Sequence, residues 1–397
     1  IGDSGAYASV GMKVLERAAG HATGPYHTPS VDISSVAVRT NNPVCGAFRG
    51  FGANQAQFAM EGCLDRLAEL VGISGWDIRK QNVIHPGEVW GPGQIMDDGC
   101  LGAEECLDTI KPAYDKAVSE GKAVGLGLGL KNSGLGNGFR EVTRAVIHFR
   151  NDGFVEVRHG WTEMGQGVHT VALQVAVEEL GIDPATIRVI VDTTRQLGFG
   201  QTTGSRGTLM TAASVREACL KANEGGRQVG VDYMGEYVVD WTQHLGEPGV
   251  VNPTIHSAFG YAAQLVVMNK ETQEIEKVVA VHDVGKAVNP TLCEGQIEGS
   301  VHMGLGYALT EDFPSDENGF PTNMTLRSLG IIRPKDMPPI DVIMVECPQP
   351  RSPYGIKGVG EIGLVPTAPA VAAALHAADG IWRTRLPMKP KTSDTAD

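Results

Sequence analysis

The chain repeats one local pattern five times: a short apolar segment, then a loop of glycine and polar residues, then the start of a helical segment. The five loops, each with the helix start that follows it, occupy residues 41–56, 159–168, 200–209, 286–296 and 355–367. Backbone N–H groups in such loops and at helix N-termini favour anionic ligands. One loop of this kind is a weak signal, but five in one chain favour convergence on a single large polyanionic ligand. The spacing fits neither a Walker loop nor a GxGxxG strand–helix unit, which disfavours P-loop and Rossmann sites.

The fifth loop contains a single carboxylate among four glycines. It reads GIKGVGEIGL over residues 355–364, and its carboxylate is Glu361. The Ala-rich segment 366–378 directly behind it predicts a helix, with Thr367 as its cap. Glycines let the backbone approach a ligand closely, and a carboxylate held there away from water has a raised pKa and can act as a base. The alternative is a solvated loop glutamate whose glycines only make turns.

Composition excludes several classes of protein. The 51 glycines are spread among apolar segments, which favours tight turns over disorder. The net charge of −13 and the absence of a basic stripe argue against a nucleic-acid partner. No apolar run has membrane-spanning length and no signal peptide opens the chain, so we expect no membrane partner. The seven cysteines form no CxxC pair, which favours reduced, mostly buried thiols in a cytoplasmic protein.

We predict an α+β protein of two subdomains, each with mixed sheets and packed helices. The first subdomain is residues 1–125, the second is 126–387, and 388–397 is a loose tail. The apolar periodicities predict helices and strands along the whole chain. The predicted helices are 9–22, 56–71, 103–120, 168–180, 209–222, 296–309 and 366–378, and the predicted strands are 31–39, 143–150, 154–158, 187–192, 259–268, 275–283 and 340–346. The chain begins without Met, and we expect a fragment or one piece of a larger polypeptide.

Motifs in these loops resemble the molybdenum hydroxylase (xanthine dehydrogenase/aldehyde oxidase) family, and specifically the later part of its molybdopterin-binding region. The match runs from about residue 2 to 387. The motifs, in order, are AFRGFGANQ (47–55), TEMGQGVHT (162–170), TTGS (202–205), NPTLCEGQIEGSVHMGLGYAL (289–309) and GVGEIGL (358–364). Residues 41–62 and 297–314 are most similar to bacterial purine or nicotinate hydroxylases. Residues 223–237 depart from the family pattern.

The resemblance implies hydroxylation of a purine or similar N-heterocycle, with water as the oxygen source. It implies molybdenum held through the dithiolene sulfurs of molybdopterin, as the cytosine dinucleotide, with no metal ligand from the protein. Glu361 of the GVGE motif would be the base that takes a proton from the hydroxyl ligand of molybdenum. Two alternatives stay open: an aldehyde or nicotinate-type dehydrogenase of the same family, and a non-catalytic scaffold fragment.

The resemblance also implies two residues that face the substrate. Arg17, in LERAAGH, would orient an enolate-like oxygen with its guanidinium. Phe51, in FRGFG, would stack on a flat substrate. The alternatives are a solvated helix charge for Arg17 and core packing for Phe51.

The cofactor contacts implied by the resemblance come from all five motifs and the residues beside them. They are Arg49, Met164, Gly165, Gln166, Gly204, Ser205, Gly207, Gln296 and Gly360. The alternative is a structural salt bridge for Arg49, and a helix cap or turn for the others. Three histidines near the loops show no metal-ligand spacing, and two cysteines beside the motifs are expected to be buried, inert thiols. These are His169, His282 and His302, and Cys45 and Cys293.

The partners implied by the resemblance lie outside this sequence. They are an iron–sulfur subunit or domain, with or without FAD on a further domain, and the remaining half of the molybdopterin region. Electrons would leave the site through the iron–sulfur clusters. We therefore expect this chain to be incomplete as an enzyme without other domains or subunits.

Overall fold

A computed structural model describes residues 1–7, 9–198 and 202–388. These residues form both strands and helices along the chain, which confirms the predicted α+β class. The strands are β1 (Gly2–Asp3), β2 (Ala37–Val38), β3 (Ala123–Ser133), β4 (Glu141–Phe149), β5 (Val155–His159), β6 (Ile187–Val191), β7 (Asp232–Val239), β8 (Ala258–Met268), β9 (Ile275–Asp283) and β10 (Ile340–Val345). The helices are α1 (Gly11–Gly20), α2 (Ala53–Val71), α3 (Gly75–Asn82), α4 (Leu101–Ser119), α5 (Val168–Leu180), α6 (Gly207–Glu224), α7 (Pro290–Leu309) and α8 (Thr367–Asp379).

Two four-stranded sheets carry the fold, and both are mixed, as predicted. The first has the order β10–β9–β8–β3, in which β10 runs parallel to β9 and the other pairs are antiparallel. The second has the order β6–β5–β4–β7, in which β5 and β6 are parallel and the other pairs antiparallel. The chain leaves the first sheet after β3, builds the second sheet, and returns at β8. The division at residue 125 stays a prediction; β3 spans that point and pairs with β8 along its whole length.

The glycine–leucine alternation in β3 places helix α8 against the first sheet. A Cβ at Gly125 would collide with the Ala370 carbonyl, and one at Gly127 with the Pro366 carbonyl, so only glycine allows this approach. The leucines between them are fully buried in the core that includes α4. Because α8 lies flat on β3, the loop that precedes α8 reaches the end of β3. That loop contains Glu361.

The second sheet is covered by α5 and α6, whose apolar faces form its core. Gly235 in β7 lets α6 lie close, since a Cβ there would collide with the Ser214 carbonyl. Strand β7 contains residues 232–237, the last part of the segment that departs from the family pattern, and it forms one edge of this sheet. Both α5 and α6 begin at glycine loops, so their N-termini point toward the same region of the molecule.

Several local predictions are confirmed and others are corrected. The two hairpins and the helix over 168–180 are confirmed. Helix α7 begins at Pro290, earlier than predicted, because the Asn289 side chain accepts from the Leu292 N–H and caps it. The strand predicted over 31–39 is reduced to β2, since β2 pairs only with the two-residue β1. Thr367 does not cap α8; its hydroxyl donates to Gln264 Oε1 at 2.7 Å.

Helix α8 and the residues just before it form an apolar segment inside the protein. Ile362–Asp379 is long and apolar enough to cross a membrane, with a mean hydropathy of 1.2, but 67% of it is buried inside the protein. It is the core helix that packs on β3. Of the predicted loose tail, only Met388 belongs to the described residues. Met388 is buried, and its N–H donates to the Ala308 carbonyl at 2.6 Å.

Candidate functional site

A cavity of about 760 Å³ lies where the glycine loops meet. Each of the five loops supplies part of its wall, so the predicted convergence of the loops is confirmed. The lining residues are Ala47, Phe48, Arg49, Phe51, Met164, Gly165, Gln166, Thr202, Thr203, Gly204, Ser205, Arg206, Gly207, Thr208, Gln296, Met303, Gly358, Val359, Gly360 and Glu361. Every predicted site residue except Arg17 is among them.

Arg17 is half-buried and does not line the cavity. Its Nη1 lies 3.2 Å from His256 Nε2, and its Nη2 donates to the Leu135 carbonyl. Burial lowers the pKa of Arg17, and the carboxylates of Glu16 and Glu361 oppose that shift. Arg17 is therefore not the solvated helix charge of the alternative interpretation. It is a cation fixed by hydrogen bonds, and it interacts electrostatically with Glu361.

Glu361 is held in the cavity wall by two side chains from distant parts of the chain. Ser205 Oγ donates to Glu361 Oε2 at 3.0 Å, and Lys131 Nζ lies 3.6 Å from the same oxygen. The Glu361 side chain is 14% exposed, so a solvated loop glutamate does not describe it. Sequence reasoning missed Lys131. The available signal was a lysine at the end of an otherwise apolar glycine–leucine strand.

Arg49 connects the Glu361 loop to helix α7. Its Nε donates to the Gly360 carbonyl, and its Nη2 donates to both the carbonyl and the Oε1 of Gln296, each at 3.1 Å. These acceptors are neutral, so the alternative of a structural salt bridge does not apply. Burial lowers the pKa of Arg49, and the Glu361 carboxylate opposes that shift. Arg49 thus fixes one wall of the cavity and adds a second cation near the carboxylate.

The conformation of the MGQG loop, residues 164–167, is fixed by hydrogen bonds from side chains in or next to the loop. Gln166 accepts from the Met164 N–H at 2.5 Å and donates to the Thr162 carbonyl at 2.7 Å. Glu163, which sequence reasoning missed, accepts from the N–H groups of Gly165 and Gly167, which precede α5, and of His169 in its first turn. Burial opposes the effect, but these bonds lower the pKa of Glu163 overall. The Gln166 amide therefore forms the turn in this structure.

The segment before α6 lies against the Glu361 loop. Gly204 and Ser205 both have positive φ, 67° and 51°, and a Cβ at Gly358 would collide with the Ser205 carbonyl. The Gly134 N–H donates to the Gly204 carbonyl at 2.7 Å. Arg206 is buried, and its Nη1 bonds Glu141 Oε2 at 2.7 Å. These contacts bring the N-terminus of α6 to the cavity and fix Ser205 beside Glu361.

Phe51 occupies a strained backbone position in the cavity wall. Its φ is +44°, between Gly50 at +94° and Gly52 at +97°. Left-handed conformations are unfavourable for a bulky residue and persist where the surroundings enforce them. Phe51 is half-buried and lines the cavity, so core packing alone does not account for it.

Of the histidines near the loops, His282 and His302 each have a polar neighbour at one ring nitrogen. His282 Nε2 lies 3.2 Å from Gln264 Nε2, and burial lowers the pKa of His282 to about 3. His302 Nε2 bonds the Ile332 carbonyl at 2.7 Å. In the part of the chain that the structure describes, no group of three or more His, Cys, Asp or Glu side chains could hold a metal ion. Cys45 is exposed, so its expected burial was wrong, while Cys293 is half-buried.

The residues around the cavity fit a large anionic pterin. The N-terminus of α6 and the Arg49 guanidinium supply positive electrostatic potential. Gln296 Nε2 has no hydrogen-bond partner among the described residues, and a Cβ at Gly165 or Gly207 would meet open space. The walls thus offer polar groups, and the glycines leave room for a ligand to approach the backbone.

Comparisons with known proteins agree with this geometry. Two profiles described as molybdopterin cofactor-binding domain match the chain, one over residues 1–83 and one over residues 104–338. The second alone covers more than half of the sequence.

Named relatives and solved structures are similar over nearly the whole chain. A probable xanthine dehydrogenase subunit of Bacillus subtilis (strain 168) is 30% identical over 98% of this chain and 58% of its own length. The aldehyde oxidoreductase of Megalodesulfovibrio gigas is 29% identical over 98% of this chain and 46% of its own length. The crystal structure of the aldehyde oxidoreductase from Desulfovibrio desulfuricans ATCC 27774 superposes with a TM-score of 0.88, at 27% identity over 98% of this chain and 45% of that chain.

This chain spans about half the length of the curated relatives it matches. The matched profiles and the relatives agree with the five loop motifs and with the α+β fold. The chain therefore belongs to the molybdenum hydroxylase family of xanthine dehydrogenases and aldehyde oxidoreductases, within its molybdopterin cofactor-binding region.

Proposed function

We propose that this chain forms the base-bearing wall of a molybdopterin-dependent hydroxylase that acts on a purine or a similar N-heterocycle. The observation that carries the proposal is the position of Glu361. It is the one carboxylate that lines the cavity among the described residues, and it shares that cavity with loops that suit a polyanionic ligand. Carboxylates that act as bases sit within reach of the reacting group and away from bulk water.

Different residues of this chain would contact the cofactor and the substrate. The pterin would be held by Arg49, Gln296 and the N-terminus of α6, and it would also contact the MGQG loop, residues 164–167. When bound, the cofactor supplies the redox chemistry that oxidises the substrate carbon, with water as the source of oxygen. Glu361 would accept the proton that is released on the cavity side.

Phe51 and Arg17 would orient the substrate. The Phe51 ring lines the cavity and offers a flat apolar surface to an aromatic ring. Arg17 is a fixed cation near Glu361, held by His256 and the Leu135 carbonyl. An enolate-like oxygen on a purine would gain from that cation as negative charge develops. The relative from Bacillus subtilis, named as a probable xanthine dehydrogenase subunit, supports a purine as the substrate.

The second candidate substrate class is an aldehyde. It is favoured by the likeness to two bacterial aldehyde oxidoreductases, one of which superposes with a TM-score of 0.88. An aldehyde group alone offers no ring for Phe51 to stack on and needs less from Arg17. The ratio of activities on a purine and an aldehyde therefore separates the two candidates.

The remaining parts of the proposal concern what lies outside this chain. We propose the cytosine dinucleotide form of the pterin, iron–sulfur clusters with or without FAD on other domains or subunits, and the other half of the molybdopterin region as a partner. Relatives named as subunits of dehydrogenases support such an assembly. We also propose a cytoplasmic location.

Glu361→Gln in the assembled enzyme tests the base. Glutamine keeps the size and the hydrogen bond from Ser205 but cannot accept the proton, so turnover should fall by at least ~100-fold while molybdenum and pterin contents stay at the wild-type level. Glu178→Gln repeats the substitution at an exposed position on α5 and should leave turnover unchanged. Unchanged turnover in Glu361→Gln would overturn the proposed function. An assembled wild-type enzyme without molybdenum would favour the non-catalytic scaffold.

A further inference from the structure

Lys131 is a buried lysine at the end of β3 whose side chain faces Glu361. Its side chain is 3% exposed. Its Nζ lies 2.5 Å from Asn132 Oδ1, 3.4 Å from the Asn132 carbonyl and 3.6 Å from Glu361 Oε2. Among the described residues, Glu361 supplies the one carboxylate within 4.0 Å of this ammonium. A buried ammonium without a carboxylate partner is strongly unfavourable, so Lys131 and Glu361 depend on each other.

The two oxygens of Glu361 have different surroundings. Oε2 takes both the Ser205 hydroxyl and the Lys131 ammonium. Oε1 has no hydrogen-bond partner in residues 1–7, 9–198 or 202–388, and Glu361 lines the cavity. A carboxylate held through one oxygen presents the other in a fixed direction. This arrangement leaves one acceptor available to a group in the cavity.

Three other cations belong to the same electrostatic environment. Arg17 on α1 and Arg49 before α2 both interact electrostatically with Glu361, and Arg206 before α6 lines the cavity. Glu141, at the start of β4, pairs with Arg206. His21 also acts near Lys131; burial, Lys131 and Arg17 together lower the pKa of this histidine. Lys131 differs from the three arginines because its ammonium lies within ion-pair distance of Glu361.

We propose that Lys131 is a positioning residue for Glu361: its ammonium and the Ser205 hydroxyl together hold Oε2 so that Oε1 faces the cavity, and its positive charge lies beside the carboxylate that acts as the base. The inference rests on the proposed function of Glu361 as a base and deepens it. Burial lowers the pKa of Lys131, and the Glu361 carboxylate is the largest influence that opposes this shift. A base must be ionised before it can accept a proton, so we expect loss of the Lys131 charge to change the pH dependence of activity.

The pH dependence of kcat/KM in the assembled holoenzyme tests the proposal. An opposite charge within about 4–6 Å lowers a carboxyl pKa by roughly 1–3 units, so Lys131→Met should move the acid limb upward by that amount. Lys131→Arg keeps the charge and should restore the wild-type limb. Lys80→Met is the matched control. It removes a lysine that pairs with Glu104 and Asp108 and lies outside the cavity lining, so the acid limb should not move.

A second measurement is independent of turnover. Infrared difference spectra over a pH titration in D₂O, with Glu361→Gln as the reference for each background, report the protonated fraction of Glu361 directly. The midpoint should be higher in the Lys131→Met background than in wild type. Should Lys131→Met not fold, Ser205→Ala removes the other contact to Oε2 and should move the midpoint in the same direction by a smaller amount.

The outcomes separate the inference from the proposed function. A wild-type acid limb and a wild-type infrared midpoint in Lys131→Met, with Glu361→Gln inactive, would overturn the role of Lys131 and leave the base in place. An active Glu361→Gln enzyme would instead overturn the base. A loss of activity in Lys131→Met that is equal at every pH, with an unshifted midpoint, would also contradict the proposal, because it indicates a structural role only.

Discussion

Arg49 and Gln296 are joined by two hydrogen bonds across 247 residues of sequence, since Arg49 Nη2 donates to both the carbonyl and the Oε1 of Gln296 at 3.1 Å. The same guanidinium donates through Nε to the Gly360 carbonyl. One planar side chain thus connects the FRGFG loop, helix α7 and the loop that contains Glu361. The cavity wall depends on this connection.

Arg49→Lys should weaken both the cavity wall and cofactor retention. Lysine keeps the charge but offers a single ammonium, which cannot reproduce a planar fork with three acceptors. We expect a loss of about 1–3 kcal/mol in the free energy of unfolding and a lower molybdenum content per chain. Urea unfolding and metal analysis measure the two effects. Arg66→Lys, at an exposed position of α2, is the control, and wild-type values in Arg49→Lys would contradict the assigned contacts.

Gly165→Ala should affect cofactor content more than stability alone explains. Gly165 has a φ of +99° and lines the cavity, and a Cβ there would point into open space. Gly87 is a matched control, with a φ of +85°, open space at its Cβ and a place outside the cavity lining. Alanine at either position should cost about 1–3 kcal/mol in backbone strain.

The test compares the pterin content of the Gly165→Ala and Gly87→Ala variants. Only Gly165→Ala should lower the pterin released per folded chain, because only its methyl group occupies ligand space. Equal pterin content in the two variants would mean that the MGQG loop does not contact the cofactor.

Arg17→Ala should discriminate between the candidate substrates. If the guanidinium stabilises a developing enolate, kcat/KM for a purine should fall on the order of 100-fold, with a smaller effect on an aldehyde. His256 and Leu135 lose a partner in either case, so a purely structural loss would be the same for both substrates. Steady-state kinetics with both substrates on one enzyme preparation measures the two losses. Equal losses of kcat/KM for the purine and the aldehyde would contradict the substrate-orienting role of Arg17.

His159 should make the protein less stable in mild acid. It is buried, its Nδ1 accepts from the Trp161 N–H at 3.1 Å, and burial lowers its pKa from 6.5 to about 4. Between these two pH values the unfolded chain binds a proton that the folded chain does not, so the free energy of unfolding falls as the pH falls. The contribution is up to roughly 3 kcal/mol.

His159→Asn isolates this contribution. Asparagine keeps an acceptor near the Trp161 N–H but does not titrate, so urea unfolding at pH 7 and pH 4 should differ less in this variant than in wild type. His244→Asn, at an exposed position, is the control and should keep the wild-type pH dependence. The same acid sensitivity in His159→Asn and wild type would assign the effect to other groups.

The sequence by itself determined the local features of this protein. Short-range sequence patterns predict the glycine loops, the helices that follow them and the hairpins. They do so because backbone conformation at glycine and side-chain periodicity act over a few residues. For the same reason the loop motifs, GVGE among them, were enough to single out Glu361 and to indicate the family.

The tertiary structure decided which side chains meet. Lys131 and Ser205 reach Glu361 from 230 and 156 residues away, and neither contact follows from a local pattern. The Arg17 guanidinium contacts His256, and the Gln166 amide hydrogen-bonds the backbone of Thr162 and Met164 within its own loop. The long-range contacts depend on the register of β3 with β8 and on the packing of α8 on that sheet. Register and packing are set by the whole core, so no single segment of the sequence contains them.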